Sequence, residues 1–408
     1  MKPAFFGLTL YTVSSPEAFD PEKWSDWIQQ HENEAVSDIA LRYSGRKELP
    51  LQELLVQLKG KQIARLKIPS FYAQRGIYYP DTLILEQCSS EDTARLKAEW
   101  ADGKTVADLT GGLGVDAFAF SQKAKRVLFC EPDIRRCEAA KHNFQLLGAE
   151  NIEVIQGDAA QTAKQLQHVA DVFFLDPARR SNSGKRAFLP EDLSPNIVAL
   201  KAQLLESGAL VMVKMAPMLD LQEGLRQLPE TFRVEVVSRK NECRELVFFL
   251  SAEKKDRTIA CIDAEHPERA FTYAPQKDLS LPLPLAPPDA YLFEPDASIR
   301  KAGPWRSICA EFGISTLHPN SHLFTGKQEL PDFPGRCFRV KAVLPYQQEK
   351  IQEALGRQTA QLVFYNFPVD AEQVRKKLRI PSGEPNYLFF TRTPEGPVVL
   401  LTERTTLS

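Results

Sequence analysis

An excess of charge of one sign is missing from this sequence. Its 408 residues carry 51 Lys and Arg against 53 Asp and Glu, a net −2. No global field draws the chain to nucleic acid, so any anion-binding surface must be local. Cysteine spacing is equally uninformative: the seven thiols, at 88, 130, 137, 243, 261, 309 and 337, form no C-x-x-C pair. This argues against structural zinc and a disulfide framework, and fits reduced thiols in a cytoplasm, the expected location. Cys130, inside an apolar run, reads as a small buried hydrophobe. No uninterrupted apolar run is long enough to span a bilayer. The apolar stretch at 4–13 is broken by Thr9, Tyr11 and Thr12, and no small-residue cleavage pattern follows it. His318 and His322 are four apart, but Pro319 and Asn320 favour a loop there and no third ligand is evident, so no metal is expected. With 43% hydrophobic residues the chain has the material for two or three packed domains.

The most informative stretch is Thr105 to Phe120, TVADLTGGLGVDAFAF. It reads as a buried strand, a Gly-rich turn and the first turns of a helix. Gly111, Gly112 and Gly114 let the backbone turn tightly and approach a ligand. Asp108 stands at the strand's C-terminal end, where ligands of open α/β sheets bind. The run from Gly112 to Ala117 also fits the dinucleotide pattern G-x-G-x-x-G/A. Asp108 argues against that ligand, because a carboxylate beside the turn would repel a pyrophosphate on the helix N-terminus. It suits a cation, such as the α-amino group of a methionine moiety.

Three further runs follow the same plan. RVLFCEP ends in Glu131, 17 residues after Gly114; IEVIQGD ends in Asp158; DVFFLDP ends in Asp176-Pro177. Helical patterns fill the gaps at 134–147, 159–169 and 196–207. From Asp108 to Gly114 the chain resembles motif I of the class I S-adenosylmethionine (SAM) methyltransferases, D/E-x-G-x-G-x-G, with Thr110 in place of the first glycine. The resemblance implies a SAM site built from Asp108, Thr110, Gly112, Gly114, Glu131, Asp158, Ala159 and Asp176. Glu131 would accept hydrogen bonds from the ribose hydroxyls, Asp158 would face the adenine amino group with Ala159 beside the ring, and Asp176 would stand at the transferred methyl.

The implied fold is α/β: a Rossmann-like class I methyltransferase sheet, seven-stranded with its last strand antiparallel. Residues 209–217 supply the fifth strand, and 233–238 and 244–250 a closing pair. A mostly helical region, 1–80, precedes this domain, which is expected to span 81–252. Within the helical region, 49–66 reads as a helix pair or one helix broken near Gly60. Trp24, Trp27 and Ile28 fall at helical spacing and read as core. Eight basic residues between Arg42 and Arg75 face only Glu48 and Glu53, either a phosphate-binding face or an ordinary solvated one. A Pro-rich linker and small α+β region is expected at 253–333. The stretch 334–408 reads β-α-β-α-β-β. Its order and position, with YLFEPDASIRKAG and HPNSHLFTG upstream, resemble the THUMP-like module of a group of bacterial class I methyltransferases. Arg375, Lys376, Lys377 and Arg379 give it a basic patch.

Candidate catalytic residues are Asp176, Pro177, Arg179 and Lys214. Asp176-Pro177-Ala178-Arg179 partly resembles the D-P-P-Y motif of enzymes that methylate exocyclic amines of nucleobases, with Arg179 replacing the stacking ring. Lys97, Asp176, Lys214 and Glu245 instead occur in the order of the K-D-K-E tetrad of ribose 2′-O-methyltransferases, where a lysine helps deprotonate the hydroxyl. Gln87, Ser89 and Ser90 are candidate cofactor contacts or helix caps. The basic residues Arg179, Arg180, Lys185 and Arg186 could clamp a phosphate backbone. The expected activity is SAM-dependent methyl transfer to RNA, on a base amine or a ribose 2′-OH. Alternatives are a small-molecule methyltransferase and a SAM-binding protein without catalysis.

Overall fold

The computed structural model describes residues 19–179 and 189–405. The chain divides into two compact units, residues 1–231 with 248–254, and residues 232–247 with 255–408.

The first unit opens with six helices: α1 (Ser25–His31), α2 (Val36–Tyr43), α3 (Leu51–Lys67), α4 (Pro69–Ala73), α5 (Thr82–Gln87) and α6 (Glu91–Ala98). Phe19, Ile28, Ile39, Leu54, Leu58 and Tyr78 form their core, with Trp24 and Trp27 packed against it. Helix α3 runs unbroken through Gly60, contrary to the expected break. A Cβ there would stand 2.5 Å from the Tyr79 ring, so the glycine serves close packing and not a turn. An alternating β/α series follows: β1 (Thr105–Asp108), α7 (Val115–Ser121), β2 (Arg126–Glu131), α8 (Ile134–Leu146), β3 (Ile152–Gln156), α9 (Ala159–Leu166) and β4 (Val172–Leu175). A short antiparallel ribbon, β5 (Ala178–Arg179) with β6 (Leu193–Ser194), then leads to α10 (Ile197–Glu206), β7 (Leu210–Met215) and α11 (Leu221–Gln227).

The five long strands of this unit are parallel, in the order β3-β2-β1-β4-β7. β4 is buried throughout, and β2 and β7 after their first residues, as strands covered on both faces must be. Because all five run the same way, their C-terminal ends share one edge. That edge collects Asp108 and Glu131, with Asp158 and Asp176 just beyond β3 and β4.

The second unit holds most of the hairpin β8 (Thr231–Arg239) and β9 (Glu242–Leu250), turned by Lys240 and Asn241 at φ 53° and 57°. Both central residues at positive φ fit the right-handed twist of the strands. β10 (Thr258–Asp263) pairs parallel with β8, and β11 (Phe271–Tyr273) antiparallel with β10. These two strands follow residue 252, within the stretch 253–333 expected to be a small α+β region. Helix α12 (Pro275–Ser280) leads to β12 (Tyr291–Pro295), α13 (Ala297–Ala302), α14 (Trp305–Phe312), β13 (Ser315–Thr316) and β14 (Phe324–Gly326). The chain ends β15 (Gly335–Leu344), α15 (Gln348–Leu355), β16 (Ala360–Phe364), α16 (Ala371–Leu378), β17 (Asn386–Thr393) and β18 (Gly396–Arg404).

These strands join in one seven-stranded sheet, β13-β14-β12-β15-β18-β17-β16. Alternation along β17 divides its two faces. Leu388 and Phe390 pack into the core with α15 and α16, while Tyr387 and Phe389 pack with Leu292, Leu317 and Leu323. His322 stacks on Trp305 at 4.3 Å, and His318 Nδ1 accepts the Asn320 backbone N–H. Among the described residues no helix is long and apolar enough to cross a membrane.

Candidate functional site

Each glycine of the turn after β1 answers a different demand. A Cβ at Gly111 would drive into the Phe129 ring, and one at Gly114 would stand 2.5 Å from the Phe144 ring. Those two glycines let the turn close onto β2 and α8. Gly112 has φ +59°, and a Cβ there would meet nothing nearer than 3.7 Å. A methyl there would make only ordinary contact with the Ile84 side chain and the Thr110 carbonyl, so what this glycine supplies is the positive φ. Its N–H donates to Glu131 Oε2 at 2.9 Å, while Glu131 Oε1 accepts from the Asp133 N–H at 3.0 Å. Each oxygen keeps a second lone pair for a hydroxyl.

Thr110, the departure from the glycine motif, has a structural explanation. Its hydroxyl accepts the backbone N–H of Asp176 at 2.6 Å, tying the end of β1 to the end of β4. A glycine would leave that N–H without this partner. The Thr110 N–H in turn donates to Asp108 Oδ1 at 3.0 Å.

Asp108 is 1% exposed. Burial, and then the charges of Asp116, Asp176 and Glu131, push its carboxyl up to about 8 against the opposing Thr110 N–H. Its acidic neighbours are each matched by a cation. Lys214 Nζ lies 2.5 Å from Asp176 Oδ2, Lys97 Nζ 3.1 Å from Asp116 Oδ1, and Arg136 Nη1 3.8 Å from Glu131 Oε1. Among the described residues no lysine or arginine pairs with Asp108. A buried carboxyl beside an open glycine turn, without a counter-charge, is a fitting seat for a cationic ligand and a poor one for a phosphate. The donor set thus suits the amino-acid end of SAM, and Glu131 suits its ribose.

Asp176 is partly exposed and its carboxylate is held by Lys214 from β7. Pro177 is buried and Ala178 exposed. Arg179 closes the β5–β6 ribbon, and Arg180, Lys185 and Arg186 lie outside the described residues. Asp158 is exposed and caps α9, accepting from the Ala160 and Gln161 N–H groups; Ala159 beside it is buried. The structure thus brings Asp108, Thr110, Gly112, Glu131, Asp176 and Lys214 to one strand edge, with Asp158 on its flank.

Two of the four residues in the ribose-methylating tetrad order, Asp176 and Lys214, pair with each other. Lys97 is 1% exposed and pairs with Asp116 in the first turn of α7. Ser89 Oγ donates to Asp116 Oδ2 at 2.8 Å and lies 3.3 Å from Lys97 Nζ. The neighbouring Ser90 caps α6 through Thr93 N–H. Burial opposes the charged form of Asp116, but Lys97 and then Lys214, with the Ser89 hydroxyl, hold its carboxyl below the usual range. Asp116 was not among the residues singled out from sequence. Its signal was there: one acid in the otherwise apolar helix start VDAFAF.

The basic stretch between Arg42 and Arg75 is largely engaged within the fold. Arg42 pairs with Glu34, Arg46 with Glu48, Lys61 with Glu32 and Arg75 with Asp26. Arg65 bonds Asn33, and Lys67 donates to the carbonyls of Leu85 and Glu86. These contacts favour the ordinary reading of that face. On α16, Arg375 sits over the Phe364 ring and Lys377 over Tyr346, each near 5.2 Å.

Comparison with known proteins agrees with this geometry. Residues 95–235 match the family of conserved hypothetical protein 95, 291–334 a ferredoxin-like domain, and 335–404 a THUMP-like domain. An uncharacterized SAM-dependent methyltransferase of Mycobacterium tuberculosis is 26% identical over 318 residues, 76% of this chain and 84% of that one. An uncharacterized RNA methyltransferase of Clostridium tetani is 31% identical over 137 residues, 33% of this chain and 30% of that one. A crystal structure of a proposed methyltransferase from Porphyromonas gingivalis matches with a TM-score of 0.83 at 26% identity, covering 96% of this chain and all of that one.

Proposed function

We propose that this chain, a class I SAM-dependent methyltransferase with a THUMP-like module, methylates RNA at an exocyclic amine of a nucleobase. The Asp176–Lys214 pair carries the choice of acceptor. Lys214 Nζ pairs with Asp176 Oδ2, and a partly exposed carboxylate at a strand end accepts the N–H of an amine and aims its lone pair. Bound SAM supplies an electrophilic methyl on a sulfonium. Asp108 receives the cofactor's cationic amino-acid end, Glu131 its ribose hydroxyls, and Asp158 and Ala159 flank the adenine. In the sequence Pro177 follows Asp176 as in D-P-P-Y, and Arg179 takes the place of that motif's aromatic residue. A ribose hydroxyl would need a stronger base. Lys214 Nζ is engaged by the Asp176 carboxylate.

RNA as substrate rests on the likeness, over 137 residues, to the Clostridium tetani protein named an RNA methyltransferase, and on the THUMP-like module. The test is transfer of tritiated methyl to total RNA, followed by nucleoside analysis. An N-methylated base, lost in Asp176→Asn and Lys214→Met while both still bind SAM, supports the reading. A drop of about 10²- to 10⁴-fold in kcat is expected for each variant. A 2′-O-methyl product would overturn the acceptor. Label that enters a nuclease-treated metabolite pool and no RNA would overturn the substrate.

A further inference from the structure

Outside the residues assigned to the reaction, the first unit buries a polar cluster of Lys97, Asp116 and Ser89. Its three members come from separate places: the last turn of α6, the first turn of α7, and the residue before the α6 cap. The triangle is closed, with 3.1 Å from Lys97 to Asp116, 2.8 Å from Ser89 to Asp116 and 3.3 Å from Lys97 to Ser89. Burying two charges in this way is costly, and apolar residues of similar volume often serve stability as well or better. The pair therefore needs a reason other than stability, and its position supplies one. Asp116 is two residues beyond Gly114. Its carboxylate lies within electrostatic reach of Lys214 on one side and of Asp108 on the other.

We propose that Lys97 and Asp116 are positioning residues of the methyl-transfer site. Their pair, closed by Ser89, clamps the segment 88–97 onto the helix after the glycine turn and sets the charge balance in which Asp108 meets the cationic end of the cofactor. This rests on the reading of Asp108 as the acceptor of that cation. The charged groups facing Asp108 are Asp116 from α7, Glu131 from β2 and Asp176 after β4. Those facing Asp116 are Lys97 from α6 and Lys214 from β7. Neither Lys97 nor Asp116 touches the reacting atoms, so the pair acts on binding and its pH dependence, not on the chemical step.

The test is calorimetric titration of SAM into the full chain across pH 6 to 9. Asp116→Asn removes a negative neighbour of Asp108 and leaves Lys97, so the pH midpoint of binding should move down. Lys97→Met removes a cation while Lys214 still holds Asp116 ionised, so the midpoint should move up. Shifts on the order of one unit are expected. The uncharged double variant should return the midpoint toward that of the unaltered chain, and Lys97→Arg should preserve it. In each folded variant kcat at saturating SAM should stay within a few-fold while the affinity moves. Should either single variant fail to fold, the double variant and Lys97→Arg still decide the matter through the same midpoint. Asp108→Asn is the reference. If it leaves the midpoint in place, the assignment of Asp108 fails. If it abolishes the midpoint while the Lys97 and Asp116 variants leave theirs unmoved, the positioning role fails and the Asp108 reading survives.

Discussion

Binding of SAM should release a proton. The Asp108 carboxyl of the free protein titrates at about 8, because burial and three acidic neighbours oppose its charge. A cationic ligand needs the ionised form. The competent fraction is one half at pH 8 and about one in a hundred at pH 6, so the apparent Kd should rise roughly 50-fold between them, about 2.3 kcal/mol. Calorimetry in buffers of different ionisation enthalpy should show close to one proton released per SAM near pH 6.5. The cofactor's own amino group titrates near 8 as well. Asp108→Asn keeps that contribution and removes the carboxyl, so the difference between the two proteins isolates Asp108. Stability of the ligand-free protein gives the opposite sign. A carboxyl whose folded pKa lies above its unfolded value contributes stability that is full below about pH 4. That contribution is lost as pH rises to about 8. The ligand-free Tm should therefore fall across pH 5 to 8 through this group, and Asp108→Asn should flatten the fall. Affinity constant over pH 6 to 8, with no proton released, would refute Asp108 as the seat of the cation.

Three further outcomes follow from the same geometry. Thr110→Val removes the acceptor of the Asp176 N–H; stability should drop by about 1 kcal/mol, with kcat falling more than SAM affinity, and Thr110→Ser should restore both. Gly112→Ala places a methyl in ordinary contact with the Ile84 side chain at a positive φ; it should cost about 1–2 kcal/mol in thermal melts yet weaken SAM binding strongly. Gly111→Ala meets the Phe129 ring; repacking should cost about 1–3 kcal/mol, and the loss should show first in Tm. Equal effects of the two glycine variants on Tm and on Kd would contradict the division of roles between them.

Much of the site was legible because its parts are local. A strand, a glycine turn and an acid at the strand end lie within a dozen residues, and β-period and turn chemistry report them directly. The parallel order then brings the four ends together without further information. What escaped depends on packing between distant elements. Lys97 and Asp116 are 19 residues apart, and only the packing of α6 on α7 makes them partners. The basic run from Arg42 to Arg75 looked unopposed because the acids that answer it, Asp26, Glu32 and Glu34, lie upstream of the window counted. Gly60 signalled a break from composition alone, since the Tyr79 ring that requires it comes from beyond the helix.

The charge pattern of the site explains why Thr110 and Lys214 are more informative than the glycines. A glycine turn at a strand end serves phosphates and sulfonium cofactors alike, and what separates them is the sign of the surrounding charge. Here Lys214, Lys97 and Arg136 each answer one acid, and Asp108 is left buried among negative neighbours. A phosphate would add to that repulsion, whereas a sulfonium and an ammonium relieve it. Thr110 then couples the two halves of the task. Its N–H holds Asp108, the proposed seat of the cofactor's cation, and its hydroxyl holds the backbone of Asp176, the proposed contact of the acceptor. On that proposal, one side chain in place of a motif glycine would set the spacing between methyl donor and nucleophile. Alignment of that distance is most of what methyl transfer asks of a protein.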